Sequence, residues 1–301
     1  MSNHKIINAT RMGEHALRLI GTTDMDGKGT RHDIADIDPI VLFDFVRMNT
    51  GEEPPFRPHP HAGLTAMSFL PLRGAWMAWD SLDGASDECL EAGGLYYVHA
   101  GTPAFHHEFA SPETVAAALD VEFIQLVWNA TDEDDVKTVV IQPKDVPVVS
   151  SSQGTVRILA GDFLGAKAIQ PFTHRRIIYA YLELAAAASM ELPIPSGMRG
   201  MLFVIEGSVS VNGATIYADQ MLIIDEEDML LDATNPAAER PVRFVIAAGE
   251  PVNKPFFKLL GLGGFIIGET EQEVRSNMEA LAETAEEIRQ LVPEYFPAKY
   301  L

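Results

Sequence analysis

The chain has 301 residues, 47% of them hydrophobic and 22% charged, a composition typical of a globular protein with one large core or two smaller ones. Its 43 acidic and 22 basic residues give a net charge of −21, the wrong sign for direct binding to nucleic acid or anionic lipid. The single cysteine, Cys89, excludes an internal disulfide and a thiolate zinc cage. Because the sequence shows neither an apolar signal core nor the roughly 18–20 apolar residues of a membrane helix, we expect a cytoplasmic protein.

Most apolar segments between residues 64 and 265 are short, rich in β-branched and aromatic residues, and separated by Gly, Pro, Asn or Asp. This pattern is typical of strands joined by tight turns. The predicted strands are Leu64–Leu70, Ala75–Trp79, Leu95–Val98, Val121–Trp128, Thr155–Leu159, Arg176–Leu184, Met201–Ile205, Ser208–Val211, Met221–Ile224 and Val242–Ala247. So many strands in one chain predict an all-β protein built from sandwiches or barrels.

Two stretches of the chain share a layout in which an aliphatic strand ends at a glycine and a polar turn carries another. The first is SFLPLRGAWMAWDSLDG followed by LEAGGLYYV, and the second is LFVIEGSVSVNGATIYADQMLII, with Gly207 and Gly213. We interpret them as two related β-barrel halves. The polar, acidic segment between them predicts a crossover. We therefore expect an N-terminal barrel over residues 1–130, a linker over 131–154 and a C-terminal barrel with a terminal helix over 155–301.

Near the C-terminus, apolar residues recur at steps of four and three, which predicts one buried face of a helix. They are Val274, Met278, Leu281, Ala285 and Ile288. Thr270 and Glu273 have the spacing of a capping box, and Pro293 marks a helix end. We expect this helix to pack against a barrel, with binding to a partner protein as the alternative.

The chain has 9 histidines, and two short motifs place several of them close together. PPFRPHPHAG carries His59 and His61, and AGTPAFHHEF carries His106 and Glu108. In an extended strand, residues two apart point to the same face, so each pair can present two ligands in one direction. Two such pairs on neighbouring strands would surround one point.

Three imidazoles and one carboxylate without a thiolate suit one divalent ion of iron, manganese, copper, nickel or zinc. Four protein ligands leave positions for water, substrate or dioxygen, which favours chemistry over a structural site. The alternative is that HPH belongs to a surface loop and HxE to an ordinary strand. His107 lies between the members of its pair and should face the opposite way, and we expect His99, His107 and His174 to hydrogen-bond locally.

These motifs resemble the pirin family of the cupin superfamily. The similarity runs from DPIVLFDF (Asp38–Phe45) through HPHAG, DSLDG and AGTPAFHHE, and resumes at MLFVIEGSVSVNG, AAGEPVNKPF (Ala247–Phe256) and the terminal helix. The resemblance implies a double-stranded β-helix (cupin) bicupin, in which two β-barrels lie face to face and a C-terminal α-helix follows. It also implies one metal ion in the N-terminal barrel and a metal-free C-terminal barrel.

The resemblance implies a ligand set and a reaction. The implied ligands are His59, His61, His106 and Glu108. Fe(II) is the expected metal, with Ni, Mn, Cu and Zn as alternatives. The family's members resemble quercetinases, so we expect a metal-dependent dioxygenase that acts on a flavonol-like or other enolic or aromatic small molecule, with Glu108 also accepting a proton.

Alternatives to this reaction stay open. One is a non-catalytic, iron-binding, redox-responsive regulator that binds a protein partner, and another is a cupin isomerase or hydrolase. We expect a monomer. The sequence departs from the usual HPHRGxE run at Ala62 and Thr65, and from AGRG at Thr102 and Pro103, so residues around the ligands differ from the family pattern.

Overall fold

The computed structural model describes residues 5–21, 37–50, 58–81, 88–129, 136–169, 172, 174–227, 229–261 and 264–291. The strands are β1 (Ile6–Asn8), β2 (Thr10–Met12), β3 (Ala16–Ile20), β4 (Ile40–Asn49), β5 (His59–His61), β6 (Leu64–Phe69), β7 (Ala75–Asp80), β8 (Glu88–Glu91), β9 (Leu95–Ala100), β10 (Ala104–Ala110), β11 (Asp120–Trp128), β12 (Val136–Ile141), β13 (Val148–Ser151), β14 (Gly154–Phe163), β15 (Ala166–Lys167), β16 (Ile177–Leu184), β17 (Ser189–Pro193), β18 (Arg199–Glu206), β19 (Ser208–Val211), β20 (Ala214–Tyr217), β21 (Gln220–Ile224), β22 (Leu230–Thr234), β23 (Val242–Gly249), β24 (Phe257–Gly261) and β25 (Gly264–Gly268). The helices in these ranges are α1 (Pro112–Ala116) and α2 (Glu271–Leu291). The all-β class predicted from the sequence is confirmed. In this part of the chain, no helix is both long and apolar enough to cross a membrane.

The contacts within the chain divide it into two units. The first unit combines Met1–Asp44 with Lys144–Val252, and the second combines Phe45–Pro143 with Asn253–Leu301. Each unit is therefore assembled from two separate stretches of chain. The boundaries at residues 130 and 154 stay predictions, since a grouping of contacts does not measure which parts fold independently.

The first unit contains two sheets around an apolar core. One is an eight-stranded sheet of order β1-β21-β18-β23-β16-β14-β13, in which β15 pairs with β14, and the other has the order β17-β22-β19-β20. Asn212 and Gly213 join β19 to β20 with φ angles of 49° and 85°. Two consecutive positive φ angles are what a two-residue type I′ hairpin requires, and Asn-Gly is the pair that adopts them most readily. The core side chains come from both sheets and include Val156, Ile178, Leu202, Leu231 and Phe244.

The second unit contains a four-stranded sheet of order β5-β10-β7-β8 and a larger sheet in which β12, β9, β6, β11 and β4 are neighbours in that order. Strand β12 falls in the segment expected to be a linker, and it pairs with β9 from Val136 opposite Ala100 to Ile141 opposite Leu95. Its run of β-branched residues suits a strand. Part of this segment therefore extends the larger sheet.

Helix α2 packs within the second unit, on hairpin β24–β25. Its buried Val274 and Leu281 cluster with Ala62, Trp79 and Phe105, and Met278 and Ala285 pack beside them, as the sequence periodicity predicts. The backbone N–H of Glu273 donates to the Thr270 hydroxyl at 3.1 Å, which is one half of the predicted capping box. The Glu273 carboxylate accepts from the backbone N–H of Glu269 instead of Thr270. The expected stop at Pro293 lies outside the described residues.

Strand β25 lies directly against β5, and two glycines permit this approach. A Cβ atom on Gly264 would lie 1.8 Å from the Pro60 carbonyl oxygen, and one on Gly63 would lie 2.1 Å from the Ile267 carbonyl oxygen. The Ile267 N–H donates to the Ala62 carbonyl at 2.9 Å. Only glycine allows backbones this close, so the C-terminal hairpin is fixed against the strand that carries two of the histidines.

Candidate metal centre

Strands β5 and β10 pair antiparallel, so that His59 lies opposite His106 and His61 lies opposite Ala104. Because side chains alternate along a strand, His59, His61 and His106 share one face of this sheet. Strand β5 is short, and its proline occupies the position opposite Phe105, between the two histidines. The local pairing thus brings together three imidazoles from two motifs that are separated in the sequence.

The three imidazole rings converge on one point. Their centroids are 4.4 Å apart for His59 and His106, 4.7 Å for His61 and His106, and 4.9 Å for His59 and His61. Each ring offers one nitrogen within 4.8 Å of the others, and this is the one group of this kind among the residues that the structure describes. The Nε2 atoms of His59 and His106 are 2.9 Å apart. Nitrogens bound about 2.1 Å from one ion at right angles would be about 3 Å apart, so this spacing fits a shared metal.

Burial keeps two of these imidazoles neutral. The pKa of His61 is well below its ordinary value because burial disfavours the imidazolium, and a charge on His59 would lower it further, while the Phe265 carbonyl partly offsets this. The pKa of His106 is lowered by burial first, and then by His59, His61 and His107. A neutral imidazole has a lone pair free for a metal ion, so the site is ready to bind one at neutral pH.

The His61 ring is oriented by the backbone of β25. Its Nδ1 lies 3.3 Å from the carbonyl oxygen of Phe265. A carbonyl can only accept, so Nδ1 carries the hydrogen and Nε2 keeps its lone pair for the cluster. Ligating histidines commonly donate their second N–H in this way. No residue type signals a backbone carbonyl, and Gly63 and Gly264 are the local signs of the close approach that supplies it.

Glu108 lies on the same strand as His106 but is not part of the three-imidazole group. Its Oε1 accepts a hydrogen bond from the Ser68 hydroxyl. Its Oε2 lies 3.8 Å from Nδ1 of His106, on the side of that ring away from His59. Neither Oε2 of Glu108 nor Nδ1 of His106 has a hydrogen-bond partner among the described residues. Burial raises the pKa of Glu108 to about 7, although the Ser68 hydrogen bond lowers it.

Polar and aromatic side chains from the larger sheet lie next to Glu108 and His106. Gln125, opposite Ser68 on β11, has its Oε1 3.3 Å from the Ser68 hydroxyl. The Tyr96 ring stacks on His106, with centroids 6.4 Å apart and planes inclined by 23°. Sequence reasoning missed Ser68, Gln125 and Tyr96, because single polar residues in apolar strands form no motif.

Among the described residues, the other histidines lie outside the cluster. His107 alternates to the other face of β10, as predicted, and its ring lies 4.9 Å from that of Phe109. His99 and Thr65 form a buried hydrogen bond of 2.6 Å. Thr65 is three residues from Ser68 and therefore faces the other side of β6. The replacement of the family's acidic residue by Thr65 therefore does not change the face of β6 that carries Ser68. His174 is exposed in the first unit.

Comparison with known proteins identifies a relationship over most of the chain. A family model described as the pirin C-terminal cupin domain matches residues 179–287. A pirin-like protein of Solanum lycopersicum is 25% identical over 255 residues, which are 81% of this chain and 80% of that protein.

Two solved structures show the same fold. Quercetin 2,3-dioxygenase from Acinetobacter baumannii matches with a TM-score of 0.78 and 21% identity, over 93% of this chain and 96% of that chain. A bacterial pirin from Escherichia coli in complex with nickel(II) matches with a TM-score of 0.60 and 15% identity, over 82% of this chain and 99% of that chain. The cupin bicupin architecture predicted from the sequence is confirmed.

Proposed function

We propose that this chain, which is similar to pirin-family proteins over most of its length, binds one divalent metal ion at His59, His61 and His106 and acts as a metal-dependent dioxygenase. The observation that carries the proposal is the convergence of three imidazole nitrogens in the second unit. The nickel-bound pirin and the quercetin dioxygenase with the same fold support a metal site and a small-molecule substrate. We propose Fe(II) as the ion. We also propose that the protein is cytoplasmic and monomeric.

The residues of this chain fit a divalent ion of the first transition row. Neutral imidazoles are ligands for iron, nickel, copper and zinc alike. The Glu108 carboxylate is two residues from His106 on the same face, and we propose it as a fourth ligand once it leaves Ser68. When bound, such an ion supplies Lewis-acid and redox chemistry toward an enolic oxygen and dioxygen.

Glu108 is also the proposed proton acceptor. With a pKa of about 7, its carboxyl group is half ionised near neutral pH and can take the proton of an acidic enol or flavonol hydroxyl. The Tyr96 ring, stacked on His106, and the stacked Trp76 and Phe123 in the same unit, with ring centroids 4.9 Å apart, provide flat aromatic surfaces. A planar aromatic substrate would match these surfaces, which is why we favour the flavonol class.

Metal analysis tests the site first. We expect the purified protein to hold about one metal ion per chain and His61→Ala to hold nearly none. His174→Ala makes the same substitution at an exposed position in the first unit and should keep the metal content of the parent. Equal metal content in all three proteins would overturn the assignment of the site.

Turnover tests the reaction. Protein loaded anaerobically with Fe(II) and then mixed with quercetin and dioxygen should consume both and release carbon monoxide, with both oxygen atoms entering the remaining product. A loaded protein that releases none with several flavonols would remove this substrate class. Retention of the metal without turnover would instead favour the regulator that responds to the oxidation state of iron, whose protein partners should then differ between ferrous and ferric forms.

A further inference from the structure

The Glu108 carboxyl group lies outside the three-imidazole group and accepts a hydrogen bond from a hydroxyl on a neighbouring sheet. Ser68 donates to its Oε1, and its Oε2 lies beside Nδ1 of His106, at the edge of the ring away from His59. Glu108 and Ser68 are both buried. In this position the carboxylate does not reach the point on which the three imidazoles converge, so it must turn to ligate an ion there, and the hydrogen bond from Ser68 opposes that movement.

Gln125 keeps Ser68 directed at Glu108. The Ser68 hydroxyl has one hydrogen, yet both Glu108 Oε1 and Gln125 Oε1 lie within reach as acceptors. The Gln125 Nε2 has no hydrogen-bond partner among the described residues. With the oxygen and nitrogen of this amide exchanged, the amide donates to Ser68 and the hydroxyl hydrogen is left for Glu108. The chain of hydrogen bonds then runs from Gln125 through Ser68 to the carboxylate.

We infer that Ser68 is a positioning residue that competes with the metal ion for the Glu108 carboxylate. While Ser68 holds this group, the ion has three imidazole ligands, and the carboxylate joins them only when the hydrogen bond breaks. The inference rests on the proposed metal centre and adds a control over its fourth ligand. The competition weakens metal binding, because every ion that takes Glu108 must first displace a buried donor.

Removal of the hydroxyl should therefore strengthen metal binding. A hydrogen bond to a charged group is worth a factor of about 10–100 in an equilibrium constant. Ser68→Ala removes this competitor and leaves the buried carboxylate without a donor, so that a cation becomes its best partner. A residue with only a structural role would give the opposite sign, because its loss would loosen the site.

Co(II) titration of the metal-free protein provides the test, with the visible absorption of the bound ion as a second readout that responds to ligand number. We expect Ser68→Ala to bind Co(II) about 10- to 100-fold more tightly than the parent and with a changed spectrum. Ser68→Thr keeps the hydroxyl and should restore the parent's affinity. Thr65→Val removes a buried hydroxyl from the other face of the same strand and should leave the affinity unchanged.

The gain must depend on Glu108. The double variant Ser68→Ala with Glu108→Gln should therefore bind Co(II) no more tightly than Glu108→Gln alone, since an amide is a poor metal ligand. Should Ser68→Ala fail to fold, Gln125→Met keeps Ser68 and Glu108 while removing the donor behind the hydroxyl, and it should tighten binding by a smaller factor.

Two results would overturn the inference. One is a Ser68→Ala or Gln125→Met variant that binds Co(II) no more tightly than the parent, and the other is a gain that persists with Glu108→Gln. Both leave the three-imidazole centre standing. Absence of Co(II) binding in the parent itself would overturn the proposed metal centre and this inference with it, so the two failures are distinguishable.

Discussion

The two units of this protein use their buried positions differently. In the first unit the cluster between the two sheets is made of aliphatic side chains together with Met198, Phe163 and Phe244. In the second unit, three imidazoles, a carboxyl, a hydroxyl and an amide occupy buried or half-buried positions on strands of similar antiparallel pairing. Burial of polar groups opposes folding unless they are paired. The polar groups of the second unit therefore indicate a ligand-binding site, whereas the first unit is built for packing.

Two polar side chains that lie buried in the first unit sharpen this contrast. Asp44 receives two hydrogen bonds from Arg18, and the Asn235 side chain donates to the carbonyls of Leu184, Ala185 and Arg240. These groups satisfy one another with protein atoms. In the second unit, by contrast, His106 Nδ1 and Glu108 Oε2 have no such partner among the described residues.

The largest effect is expected from a substitution that disrupts the packing of the first unit. Phe244 is fully buried among aliphatic side chains, so Phe244→Ala leaves a cavity and should reduce the free energy of unfolding by about 3–5 kcal/mol. Chemical denaturation of the metal-free protein measures this loss. The affinity of the remaining folded protein for Co(II) should be unchanged. A loss of Co(II) affinity in this variant would contradict the assignment of packing to the first unit and of metal binding to the second.

A second prediction concerns the pH dependence of stability in the second unit, measured with a chelator present. Burial raises the pKa of Glu108 from 4.5 to about 7, so its contribution to stability is fully present below pH 4.5 and is lost as the pH rises through 7. Glu108→Gln removes this loss, and it should gain roughly 3 kcal/mol on the parent between pH 4.5 and pH 8.

The histidines act in the other direction in both proteins. The lowered pKa values of His61 and His106 make the folded state lose stability as the pH falls below 6.5, because the unfolded chain then binds more protons. They are present in the parent and in Glu108→Gln, so the difference isolates Glu108. A constant difference for Glu108→Gln would refute the prediction.

A third prediction addresses the support of His61 by β25. Gly264→Ala places a methyl group against the Pro60 carbonyl and should push β25 away, so that His61 loses its backbone acceptor. Loss of such a partner typically weakens metal binding 10- to 100-fold, which Co(II) titration would reveal. Gly165→Ala in the first unit strains the backbone at a φ of 80° but meets open space, so it displaces no neighbour and should leave the affinity unchanged.

The smallest expected effect concerns the start of α2. Thr270→Ala removes the hydroxyl that accepts from the Glu273 N–H and should reduce stability by about 1 kcal/mol. Thr270→Ser keeps the acceptor and should retain most of that stability. Thermal unfolding compares the three proteins, and we expect equal metal affinity in all of them. A large loss of affinity would mean that the cap itself shapes the metal centre.

Local patterns in the sequence predicted the strands and the side chains that share a face, because both depend on the alternation of residues along a strand. The spacing of His59 and His61 predicts a shared face, and their rings do converge with that of His106. Predicted strands such as Val121–Trp128 differ from the observed Asp120–Trp128 by one residue. The assignment of four metal ligands stays a prediction, because the orientation of Glu108 depends on Ser68, a residue on another strand.

Features that depend on distant contacts could not be predicted. Each unit is assembled from two separate stretches of chain, and the local periodicity of the sequence does not indicate which stretches combine. The packing of α2 in the second unit instead of with residues 155–252 follows from the apolar surface of Ala62 and Trp79, which the helix sequence does not reveal. The acceptor for His61 is a backbone carbonyl, and it could have come from any residue type.

The bond from His61 to the Phe265 carbonyl spans 204 positions in the chain. A ribosome makes protein from the N-terminus, so the imidazoles of β5 and β10 emerge long before the strand that orients one of them. The centre can reach its final form only after translation has passed residue 265. On the proposed assignment, firm metal binding must therefore wait for the synthesis of β25, and a nascent chain arrested before β24 would carry its histidines without the carbonyl that orients His61.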